Sequence, residues 1–384
     1  MARMNNAAVR RHLEEIFGDD MHAMRVLSLA NGVTGIMTAA SLCIAAIGKG
    51  LAEALDLEPK HAIKQVDRLL SNSGLEMAAL MALWTRYSIG GLKQVVVAMD
   101  WTDFAKSKHS TLAIHLVTKH GRAWPLMWWT VPTGQGEGWR DQAEKDALRA
   151  FSAALPDDVS VILLADRGFG SQDLYELLVE LGMDFVIRFR GNITVESNEG
   201  EVRPAKDWVS ASGRACLLKD AMVTHRHTPI PSLVFVKAKK MKEPWCLASS
   251  LSQVPAAQLI NLYGRRFTIE EAFRDTKNAR FGLGLSDIKM KRPERRDRLI
   301  FLGALAQTLL TLLGAACEAT GLDRRLRANT VKKRTHSLLT QGLYWYGRIP
   351  TMREEWLRPL MEAFGKLVQE HEFFALALGF ETRG

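Results

Sequence analysis

VSVILLADRGFGSQDLYELLVELGMDFVIRFRGN, residues 159–192, changes period twice. An apolar run ends at Asp166, and a glycine-flanked turn follows it. Ser171 then opens a helical pattern, and a second apolar run carries Arg188 and Arg190. Apolar runs of this length, bounded by turn residues, read as buried strands, and a hydroxyl at the N-cap position marks the start of the helix between them. Upstream, KQVVVAMDWTDF (93–104), STLAIHLVTKHG (110–121) and AWPLMWWTVPTG (123–134) are three more strand-like runs with links short enough for an antiparallel meander. GWRDQAEKDALRAFSAAL (138–155) has helical spacing. Three hairpin-linked strands followed by an αβαβ order predict an α/β fold with a mixed sheet and helices on its faces.

Further out the pattern is helical up to about Ser88, where an apolar helix, a break at Asp56 to Pro59 and a basic helix carrying Lys60, His61, Lys64 and Arg68 read as a helix-turn-helix or as part of a plain helical bundle. Short strands with turns fill 192–255, and AAQLINLYGRRFTIEEAFRDTK (256–277) reads as one helix. A basic loop then leads into the apolar run 299–317, and a basic helical region ends the chain. The expected division is 1–90 helical and DNA-binding, 91–191 first part of a catalytic core, 192–255 β-rich insertion, 256–322 second part of the core, and 323–384 a helical C-terminal region suited to dimerisation.

The 384 residues are 47% hydrophobic, ample for a buried core, and 51 Lys and Arg against 42 Asp and Glu give a net charge of +9, which favours a polyanionic partner. The four scattered cysteines form no CxxC pair and predict neither a zinc ribbon nor a disulfide framework; a reducing cytoplasm is expected. Residues 26–48 and 299–317 approach membrane-spanning length, but their polar residues and glycines suit buried helices of a globular protein. His109, His115 and His120 alternate around one strand and are read as surface or satisfied histidines, not zinc ligands.

Three carboxylates organise the chemistry. Asp100 and Asp166 each stand where an apolar strand gives out, where side chains of α/β sheets usually meet a ligand. On the 256–277 helix, at about 100° per residue, Tyr263, Arg266, Glu270 and Lys277 fall within about a 60° arc. Two aspartates on adjacent strands and a glutamate on a following helix would form an oxygen-rich set for hard cations, with the cationic neighbours holding phosphate. Arg188 and Arg190 project to one side of their strand, either toward DNA or as a salt-bridged sheet edge.

Tyr263-x2-Arg266-x3-Glu270-x6-Lys277 resembles the Tyr-Arg-Glu-Lys signature of a subclass of DDE transposases from bacterial insertion sequences, while LLADRGFG and VVVAMDWT resemble that family's two aspartate motifs. The resemblance runs roughly from His61 to Cys317. It implies a ribonuclease H-like core, two Mg²⁺ or Mn²⁺ ions held by Asp100, Asp166 and Glu270, phosphate positioning by Tyr263, Arg266 and Lys277, and cut-and-paste chemistry on double-stranded DNA by a synaptic homodimer. Trp245 matches the aromatic that stacks on a flipped base in relatives with a hairpin intermediate, and Lys60, Lys64, Arg68, Arg188 and Arg190 are further DNA contacts under this reading. The alternatives are a nuclease or resolvase on the same core without strand transfer, and a domesticated DNA-binding protein without catalysis.

Overall fold

The computed structural model describes residues 4–136, 138–239 and 241–370. Five helices open it: α1 (Asn6–Phe17), α2 (Ala23–Ala39), α3 (Ile44–Leu55), α4 (Pro59–Ser71) and α5 (Met77–Ile89). In α4, Pro59 occupies the first turn, where its missing N–H costs nothing. Ala62, Val66, Leu69 and Leu70 make one buried stripe, which leaves Lys60, His61, Lys64 and Arg68 exposed on the other side. The apolar run predicted at 26–48 is two helices, α2 and α3, bent by 97° about a break at which Ala40 takes a left-handed φ of 50°.

The strands begin with β1 (Gln94–Phe104), β2 (His109–Leu116) and β3 (Trp124–Pro132), followed by α6 (Trp139–Ala154), β4 (Ser160–Ala165), α7 (Gln172–Glu180) and β5 (Asp184–Phe189). The first three pair antiparallel, and β4 and β5 then run parallel to β1, so the mixed sheet expected from the sequence is present. Strands β6 (Thr194–Glu196), β7 (Val202–Pro204), β8 (Cys216–Val223), β9 (Thr228–Val236) and β10 (Trp245–Ser249) come next. Residues 192–255 do not build a sheet of their own. β10 pairs antiparallel with β5, and the ten strands form one sheet in the order β3-β2-β1-β4-β5-β10-β9-β8-β6-β7.

The stretch 256–277 is divided into α8 (Ala256–Gly264), a single tight 3₁₀ turn at Arg265–Phe267, and α9 (Thr268–Lys277). The Thr268 hydroxyl donates to the Arg265 carbonyl at 2.9 Å, a back-bond that competes with the regular helical ladder. The Thr268 carbonyl in turn accepts from the Ala123 N–H at 3.0 Å, which ties this turn to the entry of β3. Arg122 holds α9 from the same loop, donating to Asp275 at 2.8 Å and pairing with Glu271 at 3.3 Å.

Helices α10 (Pro293–Ala319), α11 (Leu338–Tyr346) and α12 (Glu354–Gln369) complete the described chain; residues 371–384 of the expected C-terminal region lie outside it. Among the described residues α10 is the one unbroken helix long and apolar enough to cross a membrane, but 89% of its most apolar window is buried inside the fold. It packs against α2, α4, α11, α12 and β3. The N-terminal helices therefore share one hydrophobic core with α10 and with one face of the sheet.

The other face of the sheet carries a smaller core. Alternation along the strands sends Ala98, Leu164, Val186 and Leu247 to that side, where Leu259, Tyr263, Ile269 and Ala272 of α8 and α9 cover them. The same alternation puts Asp100, Asp166 and Arg188 on the face that α8 and α9 cover.

Candidate active site

Register brings the two aspartates together. In the parallel pair β1 and β4, Met99 lies opposite Ala165, so the next residues, Asp100 and Asp166, stand side by side; Asp166 directly follows the last residue of β4, whereas Asp100 is not at a strand end as expected but inside β1, which stays paired with β2 as far as Phe104. Strands in a sheet are about 4.8 Å apart, close enough for two carboxylates to feel each other strongly. Burial pushes the Asp100 carboxyl up to about 6; Arg266 opposes this, while the charges of Asp166 and Glu270 add to it. Each aspartate is also oriented by backbone: Asp100 accepts from the Trp101 N–H at 2.8 Å and Asp166 from the Gly168 N–H at 2.7 Å.

Arg266 closes the constellation. Its Nη1 donates to Asp100 Oδ2 at 3.2 Å and its Nη2 to Glu270 Oε1 at 2.6 Å, so one guanidinium bridges the β1 carboxylate and the helix carboxylate. The Arg266 side chain is 6% exposed and that of Asp100 18%, whereas Glu270 is half exposed. The Arg266–Glu270 contact is the (i, i+4) pair expected on a helix, and it survives the 3₁₀ turn because that turn ends one residue after Arg266. Lys277, two turns beyond Glu270, donates to the Thr102 hydroxyl at 2.8 Å and the Asp103 carbonyl at 3.0 Å, and lies 4.9 Å from the Phe104 ring centre. Burial lowers the Lys277 pKa and nearby Arg296 lowers it further, while Asp103 works the other way.

Tyr263 is in a different situation from its three signature neighbours. It is 1% exposed, under Trp245, whose ring meets it edge-on at 4.9 Å and stacks on Phe267 at 6.0 Å. Trp245 is half-buried and caps this aromatic group. Arg188 lies on the same sheet face, donating to Glu243 at 2.9 Å and to the Pro244 carbonyl at 3.0 Å; Arg190 is exposed at the end of β5. Lys60, Lys64 and Arg68 are not part of this group and line the exposed side of α4.

Among the described residues no group of three or more His, Cys, Asp or Glu side chains is arranged to hold a metal ion. The chemistry of the donors nonetheless fits hard cations. The set is all carboxylate oxygen, its members repel one another, and the charge that now relieves the repulsion is a guanidinium between two of them.

Two carboxylates went unrecognised in the sequence. Glu144 on α6 is 6% exposed, accepts from the Trp101 indole N–H at 2.7 Å, and is pushed up to about 7, chiefly by burial. Its signal was there to read: Glu144, Ala147, Leu148 and Phe151 form one helical stripe, and an acid on an apolar stripe is out of place unless partnered. Glu243 gave no comparable signal, because its partners Arg167 and Arg188 come from distant segments. Of the three histidines, His109 is satisfied as expected and His115 is not. His115 is buried with an unpartnered Nδ1 and its pKa is pulled down to about 3 by burial, while His109 accepts from Arg296 at 3.3 Å.

A search among characterised proteins found no sequence match. A family model described as "Transposase DDE domain" matches residues 91–309, more than half of the chain, from just before β1 into the middle of α10. That span contains both aspartates, the five strands that extend the sheet, and the helix bearing Glu270; on this match the chain belongs to the DDE-domain transposases.

Proposed function

We propose that the chain is a metal-dependent transposase of the Tyr-Arg-Glu-Lys subclass, carried by a bacterial insertion sequence and built on a ribonuclease H-like core, which cleaves transposon ends and joins them to target DNA. The observation that carries this reading is the pair of adjacent aspartates on parallel β1 and β4, linked through one buried arginine to a glutamate on the helix across the sheet. Asp100, Asp166 and Glu270 would hold two Mg²⁺ or Mn²⁺ ions, whose chemistry when bound is to polarise phosphoryl oxygens and ease deprotonation of water.

The protein's own groups do the rest. Arg266 presents a planar fork that suits a phosphate as well as a carboxylate, so an incoming phosphodiester exchanges for Asp100 and Glu270 without leaving a guanidinium bare. Lys277, held by Thr102 and Asp103, supplies a second fixed positive charge alongside β1. Tyr263 supports this arrangement from beneath Trp245, and Trp245 is suited to stack on a base drawn out of the duplex. Lys60, Lys64 and Arg68 would grip the phosphates of the transposon end, Arg190 those nearer the cut, and two copies of the chain would synapse two ends on the bacterial nucleoid.

Glu270→Gln provides the test. The amide keeps the shape and a contact with Arg266 but withdraws an ionic ligand. The variant should bind a duplex carrying the element's terminal repeat as wild type does, while losing at least about 1,000-fold in Mg²⁺-dependent nicking. Full cleavage by this variant would refute the assignment. Joining of a pre-cut end to plasmid by the wild-type protein separates transposition from plain hydrolysis.

A further inference from the structure

A cavity of about 510 Å³ opens beside the candidate active site, lined by Arg167, Arg188, Arg190, Asn192, Glu243 and Cys246 among others. Arg167 directly follows Asp166, Arg188 lies in the neighbouring strand β5 and Arg190 directly follows it, so three arginines line one cavity next to a carboxylate of the site. A concentration of positive charge in a pocket of this size suits an anion. One anion is already there: the Glu243 carboxylate pairs with Arg167 and with Arg188, each at 2.9 Å through the same oxygen, Oε2.

We infer that this cavity is a phosphodiester pocket of the DNA-binding surface, and that Glu243 is a built-in occupant which DNA displaces. This rests on the transposase reading above and adds to it a site and a competitor for that site. Three features support the exchange. First, the two partners differ in fixity. Arg188 is 19% exposed and anchored by the Pro244 carbonyl, while Arg167 and Glu243 are both 54% exposed. A contact with two solvent-exposed members is weakly held, so the carboxylate is easy to move and Arg188 stays in place to receive the phosphate. Second, a carboxylate and a phosphodiester each offer two oxygens and one negative charge to a guanidinium fork, so the replacement conserves charge and geometry. Third, Glu243 is the one acid in a basic loop, between Lys237, Lys239 and Lys242 before it and Trp245 after it. Once Glu243 swings out, Arg167 and Arg188 face the cavity without their acid.

The geometry makes Glu243 a brake on DNA entry, and the salt dependence of binding reads that brake directly. The probe is a fluorescein-labelled mixed-sequence duplex titrated with the full-length protein over a range of salt concentrations. Glu201→Gln, which removes the same charge just before β7 at the far edge of the sheet, is the control. Glu243→Gln should bind about threefold to tenfold tighter than the control at low salt, with a log–log salt slope steeper by about 1 to 2 as the two guanidiniums become available to phosphate. Adding Arg167→Ala to Glu243→Gln should remove most of the gain, and the exposed position of Arg167 keeps the comparison clear of a folding defect. Equal gains for Glu243→Gln and Glu201→Gln would overturn the inference while leaving the transposase reading intact. Absence of duplex binding by wild type and both variants would overturn the two together.

Discussion

At the scale of single residues, the ion pairs around Arg266 should be unequal. Asp100 and Arg266 are both largely withdrawn from water, so removing either leaves a buried charge without its partner, a loss of about 3–5 kcal/mol. Glu270 is half exposed and water can replace the arginine there, which limits that pair to about 0.5 kcal/mol. Double-mutant cycles in urea unfolding should therefore give a coupling of about 1–3 kcal/mol for Asp100→Asn with Arg266→Met, and little for Glu270→Gln with Arg266→Met. Equal couplings would mean that the guanidinium does not favour the Asp100 carboxylate. His115 permits a second prediction of this kind. Its folded pKa, about 3, lies below the ordinary value of 6.5, because burial disfavours the charged ring. The unfolded chain then takes up the proton first as pH falls. Stability contributed by the neutral ring is complete above about pH 6.5 and declines by about 1.4 kcal/mol per pH unit below it, down to the folded value. Thermal melts of His115→Leu should show a shallower loss between pH 6.5 and 4 than wild type.

At the scale of elements, the tightest contact is between α10 and α11. A Cβ on Gly314 would stand 1.9 Å from the Leu338 carbonyl, and one on Gly342 would stand 1.8 Å from the Leu310 carbonyl, so each helix lies on the other's glycine. Neither backbone can yield without separating the pair. Gly342→Ala should destabilise the protein by about 1–3 kcal/mol or more in denaturant unfolding, even though alanine is the better helix former. The sequence made the individual elements legible and left their partners hidden. Periodicity marked β1, β4 and β5 and the strand end at Asp166, because burial imposes apolar runs on the sequence itself; it ended β1 too early, at Asp100, because the pairing with β2 carries that strand on to Phe104 through polar residues. Nothing in 192–255 announced that β10 would pair with β5 and carry the sheet onward, since a short half-buried strand reads alike whether it starts a new sheet or extends an old one. The 3₁₀ turn at Arg265–Phe267 was not legible either, because the residues around it keep the spacing of one continuous helix. The shared face of Arg266, Glu270 and Lys277 was legible from spacing. The burial of Tyr263 was not, because it follows from Trp245, which comes from another strand.

At the scale of the whole molecule, two of the places where the described residues present positive charge are the exposed side of α4 and the arginine cavity beside Asp166. The two are coupled through shared packing: α4 rests on α10, where Arg295 holds Asp67 at 2.6 Å and Arg298 donates to the Leu70 carbonyl at 3.1 Å, and α10 in turn packs against β3 of the sheet. A duplex gripped by α4, as proposed, would thereby be held at a fixed position relative to the carboxylates. This arrangement separates affinity from chemistry. Lys64 and Arg68 make no contact with Asp100, Asp166 or Glu270, so replacing both by Ala should weaken binding of a terminal-repeat duplex and lower its log–log salt slope by about 2, one for each cation removed from the phosphates. The maximal nicking rate at saturating protein should stay within about threefold of wild type, since only binding has been altered. An unchanged salt slope would move the transposon end off α4 and onto another basic surface, such as the arginine-rich segment 324–334 that precedes α11.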